Sequence, residues 1–247
     1  MSVAVEAWLT ETPIAHRGLH DRARGVPENS LVAFEAAIAK GYAIELDVRR
    51  TADCVPVVLH DHLLEEKTDQ SGAVVETDAA GVAAARLAGS NERVPTLAAV
   101  LEAVAGRTPL LVEIKNFRDA LGPLEDRVAA LLRAYDGAFA VQSFNPRVLE
   151  WFQEHMPDAP RGQVTTEYSH WRDTLSEEER AELPRLVRAG VGKPAFFAHD
   201  VRFLPHPLAK LARRRGLPLL MWTVRSEEDR YRARIYGDNI IFEGFRP

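Results

Sequence analysis

The chain has 247 residues, with 31 Lys or Arg against 36 Asp or Glu and a formal net charge of −5. That balance excludes a protein that coats nucleic acid by counterion release, which needs a basic surface. Hydrophobic residues at 46% and charged residues at 27% are globular averages, which excludes disorder, collagen and coiled coil. Cys54 stands alone, so no intrachain disulfide forms and a reducing compartment is expected. The stretch before Ile14 carries Glu6 and Glu11 but no Lys or Arg, unlike a secretory signal. No segment approaches the ~20 apolar residues of a membrane span. A cytoplasmic protein is therefore expected.

Short apolar runs rich in Val, Ile, Phe and Leu alternate with helix-period segments along the chain. The first run, residues 13–17, ends in His16-Arg17-Gly18. A helix follows, which Asn29 or Ser30 caps, with Leu31, Phe34 and Ile38 on one face and Gly41 suited to its C-terminal turn. Runs 43–48 and 55–60 are too close for a parallel return, which needs a dozen or more residues, so they form an antiparallel hairpin. With the turn centred between Ala52 and Asp53, Glu45 faces His60 and Asp47 faces Val58. Residues 61–108 are the longest gap and are read as an insertion, ending in a helix at 96–105.

Strand runs 109–115, 138–143, 161–165, 195–199, 217–223 and 239–243 follow. Residues 168–192 form a second irregular region with a helix start at Ser176-Glu177-Glu178-Glu179. With the second hairpin strand set aside, eight strands alternate with helices. That is the count of an α/β fold of the (β/α)8 TIM barrel type, here expected as a single domain over residues 1–247.

Polar residues gather at the C-terminal ends of these strands, where barrel active sites lie. Glu45 and Asp47 are two apart on a strand and project to the same side, as do Glu113 and Lys115. Three carboxylates in one space repel each other unless a cation sits between them, and all-oxygen ligation favours Mg²⁺ or Ca²⁺ over zinc. The plainer alternative is ordinary salt-bridging acids. His16 and His60, both at strand ends near these carboxylates, suit an acid and base pair. Arg17 and Lys115 suit phosphate binding, a role compatible with neutralising nearby acids. The run Arg213-Arg214-Arg215 is read as a helix end rather than a nucleic-acid patch, and His199 ends a barrel strand.

The succession His16-Arg17-Gly18, Pro27-Glu28-Asn29-Ser30, Glu45-Leu46-Asp47-Val48, Pro56-Val57-Val58, His60-Asp61, Val94-Pro95-Thr96-Leu97, Glu113-Ile114-Lys115, Gln142-Ser143-Phe144 and Trp222-Thr223 resembles the glycerophosphodiester phosphodiesterase family. The resemblance implies a barrel with an insertion after the second histidine. It implies metal-dependent hydrolysis of a small-molecule glycerophosphodiester to sn-glycerol 3-phosphate and an alcohol. By the same resemblance His16 and His60 are the acid and base, and Glu45, Asp47 and Glu113 hold one divalent cation, Mg²⁺ or Ca²⁺. Arg17 and Lys115 contact phosphate, and Trp222 walls the glycerol moiety, with plain barrel packing as its alternative. Glu28 and Asn29 match the family signature and are read as capping and loop support.

Two positions depart from the family pattern. Cys54 follows Asp53 where a Gly is usual, and Glu243 stands where an Asp is common. The alternative readings are a phospholipase D-like enzyme acting on lysophospholipids, a catalytically silent barrel that binds phosphoesters, and a metal-dependent lyase or aldolase.

Overall fold

A computed structural model of the chain describes residues 6–117, 119–171 and 175–247. Its contacts divide the chain into two units, Ile14–Phe139, and Ala140–Pro247 together with the segment before Ile14, where α1 (Trp8–Glu11) lies.

In the first unit, β1 (Ile14–Ala15) pairs in parallel with β2 (Ala43–Arg50), Ile14 opposite Ala43. Helix α2 (Leu31–Ile38) joins them, started by Ser30, whose hydroxyl oxygen accepts from the Ala33 N–H at 3.2 Å. Gly41 has φ 71°, a left-handed conformation that lets the chain leave the helix. β2 also pairs in parallel with β4 (Leu110–Ile114), which places Asp47 opposite Glu113. Ile44, Leu46, Val48, Leu110, Val112 and Ile114 are all buried. Strand alternation sends Glu45 and Asp47 to the face opposite Ile44, Leu46 and Val48.

The hairpin partner β3 (Pro56–Val58) is antiparallel to β2, as expected, but its register differs by one residue. Val48 opposes Val58 and Arg49 opposes Val57, and the Leu59 N–H donates to the Asp47 carbonyl at 3.0 Å. Glu45 and His60 are therefore not ladder partners, and Asp47 does not face Val58. The cause is an odd-length loop centred on Asp53. The Thr51 N–H donates to the Val55 carbonyl at 3.1 Å, and Cys54 enters the left-handed region at φ 60°. A turn closed by a left-handed residue adds one position to the loop and slips the register.

After β3 the insertion holds 3₁₀ turns at Leu64–Glu66 and Val74–Glu76 and helix α3 (Ala79–Ala84). It has an apolar cluster of its own with β3, in which Val57, Leu59, Leu64, Val74, Val82, Ala85, Leu87 and Val94 are buried. The Val58 N–H donates to the Pro95 carbonyl at 2.8 Å, fastening the end of the insertion to β3. Helix α4 (Leu97–Val104) follows, started by the Thr96 hydroxyl, which accepts from the Ala99 N–H at 3.1 Å, and then α5 (Pro123–Arg133).

β5 (Phe139–Ser143), which from Ala140 onward lies in the second unit, β6 (Arg161–Thr165), β7 (Phe196–Asp200), β8 (Leu219–Val224) and β9 (Asn239–Phe242) pair in sequence order, all in parallel. They alternate with α6 (Pro146–His155), α7 (Glu177–Ala189), α8 (Pro207–Arg214) and α9 (Glu227–Tyr236). Ser176 and Glu179 form the reciprocal cap of α7. Part of the irregular region before it, residues 172–174, lies outside the described residues. Arg213 at the end of α8 binds Asp238 at 2.8 Å and the Tyr236 carbonyl, consistent with a helix end. His199 is fully buried, hydrogen-bonded through Nδ1 to the Thr165 hydroxyl at 2.7 Å and stacked on His206.

Among the described residues, eight strands run parallel within their units and alternate with helices, with β3 as the antiparallel addition. The fold is the expected (β/α)8 barrel class. Among the described residues, no helix is long and apolar enough to cross a membrane.

Candidate active site

The site is built in the first unit from the end of β1, the end of β2, the chain after β3 and the end of β4. Its first corner is a strained turn. Arg17 has φ 55° and Gly18 φ 81°, and a Cβ on Gly18 would lie 2.9 Å from atoms of Ala33 and Phe34, so only glycine lets the turn rest on α2. A left-handed arginine costs about 1–2 kcal/mol. Two hydrogen bonds hold it: the Arg17 N–H donates to Glu45 Oε2 at 3.0 Å, and the Asn29 N–H donates to the Arg17 carbonyl at 2.9 Å. The turn aims the guanidinium at Glu28 Oε1, 2.6 Å away, and at Asp47 Oδ2, 3.1 Å away.

Glu45, Asp47 and Glu113 are buried, and one oxygen of each lies within 4.8 Å of those of the others. The Lys115 N–H donates to the Val48 carbonyl at 3.0 Å, extending the β2–β4 ladder. Its Nζ then lies 3.0 Å from Asp47 Oδ1 and 2.5 Å from Glu113 Oε1. His16 Nε2 is 4.0 Å from Glu45 Oε2. His60 reaches the site despite the slipped register, because the chain leaves the ladder after Val58. The His60 carbonyl accepts from Arg49 Nε at 2.7 Å, and Nδ1 lies 2.8 Å from Asp61 Oδ1. An ionised carboxylate only accepts, so Nδ1 carries the proton and Nε2 is the bare nitrogen.

The charges divide unevenly among the three acids. Burial pushes Glu45 well above the usual carboxylate range, and the negative charges of Asp47 and Glu113 add to it. Burial would also raise Asp47, but Lys115 and Arg17 hold it well below that range. Glu113 is raised, burial outweighing Lys115. Burial opposes charge on Lys115 and Arg17, yet their carboxylate neighbours raise both. His60 is pushed down to about 4, first by burial and then by the Lys115 charge, so it is neutral at pH 7. Arg17 and Lys115 ion-pair with Asp47, and Lys115 with Glu113, so Glu45 is the acid whose ionised form is least compensated. The donor set fits a hard cation: oxygens on opposite sides of a Ca²⁺ or Mg²⁺ ion, each about 2.0–2.6 Å from it, lie about 4–5 Å apart. These three residues could hold a metal ion.

All seven charged or histidine residues singled out from the sequence come together here. Trp222 belongs to the other unit, where its Nε1 donates to the Ala198 carbonyl at 3.1 Å and its ring meets Phe144 edge-on at 5.4 Å. Several further residues have contacts that the sequence does not assign. Ser30 caps α2 alone, which frees Asn29 to donate from Nδ2 to Asp47 Oδ2 at 3.0 Å. Glu28 ties the loop after β1 to the insertion, binding Arg17 through one oxygen and Lys67 through the other at 3.2 Å. Their place beside a cap residue in the signature was the available signal. Asp61 followed His60 directly, whereas nothing local marked Lys67.

The chain is similar to known proteins of one family. The chain is 30% identical over 244 residues to the Bacillus subtilis protein YhdW, covering 92% of each. It is 28% identical over 250 residues to the glycerophosphodiester phosphodiesterase of Caldanaerobacter subterraneus, again covering 92% of each. A phosphodiesterase of Oleispira antarctica, solved in complex with its product sn-glycerol-3-phosphate, has the same fold with a TM-score of 0.77, 21% identity and coverage of 95% of this chain and 93% of that one. Residues 16–243, which contain every residue of the site just described, match the pattern of the glycerophosphoryl diester phosphodiesterase family, and the chain belongs to that family.

Proposed function

We propose that this phosphoric diester hydrolase cleaves glycerophosphodiesters to sn-glycerol 3-phosphate and an alcohol, using one divalent cation, Mg²⁺ or Ca²⁺, held by Glu45, Asp47 and Glu113. The observation that carries the reading is the buried trio of acids with one oxygen of each within 4.8 Å of the others, flanked by a neutral histidine and by Arg17 and Lys115. When bound, the cation supplies Lewis acidity and neutralises charge that develops on the phosphoryl oxygens.

The remaining work falls to side chains. His60, neutral and with Nε2 bare, suits the base that takes a proton from the attacking hydroxyl, whether of water or of the substrate glycerol. His16 is then the acid that protonates the departing alcohol. Arg17, fixed by Glu28 and Asp47, and Lys115 bind phosphoryl oxygens and stabilise the added negative charge of the transition state. For Trp222 the sequence motif alone suggests a wall for the glycerol carbons. The unpaired Cys54 fits a cytoplasmic location.

The test is release of sn-glycerol 3-phosphate from glycerophosphocholine and glycerophosphoethanolamine with Mg²⁺, with Ca²⁺ and after chelation. Wild type should release it only with a cation, and His16→Ala should lose roughly 10²-fold or more. No release with either cation, together with cleavage of lysophosphatidylcholine, would replace this reading with the phospholipase D-like one. Inactivity on all three substrates, with binding of glycerol 3-phosphate intact, would leave the silent phosphoester-binding barrel.

A further inference from the structure

Three charged groups that hydrolysis itself does not call for, Glu28, Lys67 and Asp61, form a chain that joins Arg17 to His60. Lys67 Nζ lies 3.2 Å from Glu28 Oε2, and the other Glu28 oxygen lies 2.6 Å from Arg17 Nη1. On its other side Lys67 Nζ lies 3.9 Å from Asp61 Oδ2, an ion-pair distance, while Asp61 Oδ1 lies 2.8 Å from His60 Nδ1. Each carboxylate therefore spends one oxygen on a residue of the site and turns the other toward the same ammonium. We propose that Lys67, contributed by the insertion, is a positioning residue that sets the orientation of Arg17 through Glu28 and of His60 through Asp61. The proposal rests on the function given above for Arg17 and His60.

The backbone that carries Lys67 is itself held. The Lys67 N–H donates to the Leu64 carbonyl at 3.1 Å, and the Lys67 carbonyl accepts from the Ala88 N–H at 2.8 Å. Thr68 bridges Leu87, and Leu64 and Leu87 are both buried in the apolar cluster of the insertion. The small core of the insertion therefore fixes where Lys67 stands.

Electrostatics agree with the geometry. Burial would raise Glu28, yet Arg17 and then Lys67 hold it below the usual carboxylate range. Burial would raise Asp61 too, but it is held down by His60 first and by Lys67 as well. Side-chain exposure is 21% for Glu28 and 14% for Asp61, so without the ammonium two poorly hydrated acids would each keep a single partner and be free to swing. An exposed ion pair contributes little to stability, whereas a partner that orients a reacting group commonly changes rate or affinity by about 10–100-fold. Lys67 is placed for the second role.

The experiment compares Lys67→Met and Lys67→Arg in the full chain, with thermal midpoints measured alongside kinetics on glycerophosphocholine. Lys67→Met should lose about 10–100-fold in kcat/KM with little change in midpoint, the loss divided between a higher KM from Arg17 and a lower kcat from His60. Lys67→Arg should recover most of it. On an Asp61→Asn background the kcat part of the Lys67→Met effect should vanish, and on Glu28→Gln the KM part should vanish, because coupled residues are not additive.

A readout that needs no turnover is the ¹⁵N signal of the His60 ring. It should report a fixed Nδ1–H tautomer in wild type and averaging tautomers in Lys67→Met. The proposal is overturned if Lys67→Met matches wild type within twofold in both parameters with an unchanged His60 ring signal. A loss that Lys67→Arg fails to recover and that adds in full to Asp61→Asn would also overturn it. Should wild type cleave no glycerophosphodiester, the assigned function fails, and the ring signal alone still decides whether Lys67 orients His60.

Discussion

Asn29 grips Asp47 with both ends of its amide: Nδ2 donates to Asp47 Oδ2 at 3.0 Å, and Oδ1 accepts from the Asp47 backbone N–H at 3.4 Å. Asn29 is buried and left-handed at φ 54°, a conformation that Asn tolerates better than most residues. The grip leaves the Asp47 carboxylate one orientation, toward Arg17 and Lys115. On the function proposed above, with Asp47 holding the cation, Asn29→Ala should weaken divalent-cation binding and activity by about 10–100-fold. Isothermal titration with Mg²⁺ or Ca²⁺ checks it, and unchanged affinity would reduce Asn29 to a packing residue.

Glu45 is the acid whose ionised form the fold most disfavours, which gives its removal opposite effects with and without metal. Its folded pKa is raised by burial and by Asp47 and Glu113, so ionisation above the ordinary carboxylate pKa works against the folded state, increasingly as pH rises. Glu45→Gln removes that penalty and keeps an oxygen for the Arg17 N–H. In chelator at pH 7 the variant should unfold at a higher temperature than wild type. A cation at a hundred times its Kd should stabilise wild type by about 2.7 kcal/mol and the variant far less. Calorimetry in both conditions reads the crossing, and a variant less stable than wild type in chelator would count against a penalty on ionised Glu45.

Cys54 stands at φ 60° where glycine carries no Cβ penalty. The left-handed conformation costs a non-glycine residue about 1–2 kcal/mol, part of which glycine returns through a more flexible unfolded chain. Cys54→Gly should stabilise the protein by about 0.5–1 kcal/mol in urea denaturation, and Cys54→Ala, which keeps the strain, should not. Loss of stability in the glycine variant would show that thiol packing outweighs the strain.

His199 gives stability a pH dependence away from the site. Burial, with the charge of His206 second, pushes it from 6.5 down to about 4. Between those values the unfolded chain binds a proton that the folded chain does not, so stability is complete above pH 6.5 and falls as pH drops toward 4. From pH 7 to pH 5 this one residue should remove about 2 kcal/mol. His199→Leu should flatten the profile by that amount, whatever the loss of the Thr165 hydrogen bond does to stability at pH 7. An unaltered difference between the two pH values would place the acid sensitivity elsewhere.

Much of this protein was legible in order along the chain because the signals were local. Strand runs, the Ser30, Thr96 and Ser176 caps, and the hairpin forced by the short 49–54 spacing depend on neighbours a few residues away. The pairing of Glu45 with Asp47 and of Glu113 with Lys115 on shared faces follows from strand alternation alone. Only the tertiary structure decided the hairpin register, which turned on the left-handed Cys54, and the roles of Asn29, Glu28 and Lys67. Lys67 meets Glu28 across 39 positions and Asn29 meets Asp47 across 18. Such meetings, and the division of charge that leaves ionised Glu45 least compensated, arise where burial and Coulomb forces compete in three dimensions, and no local period of the sequence records them.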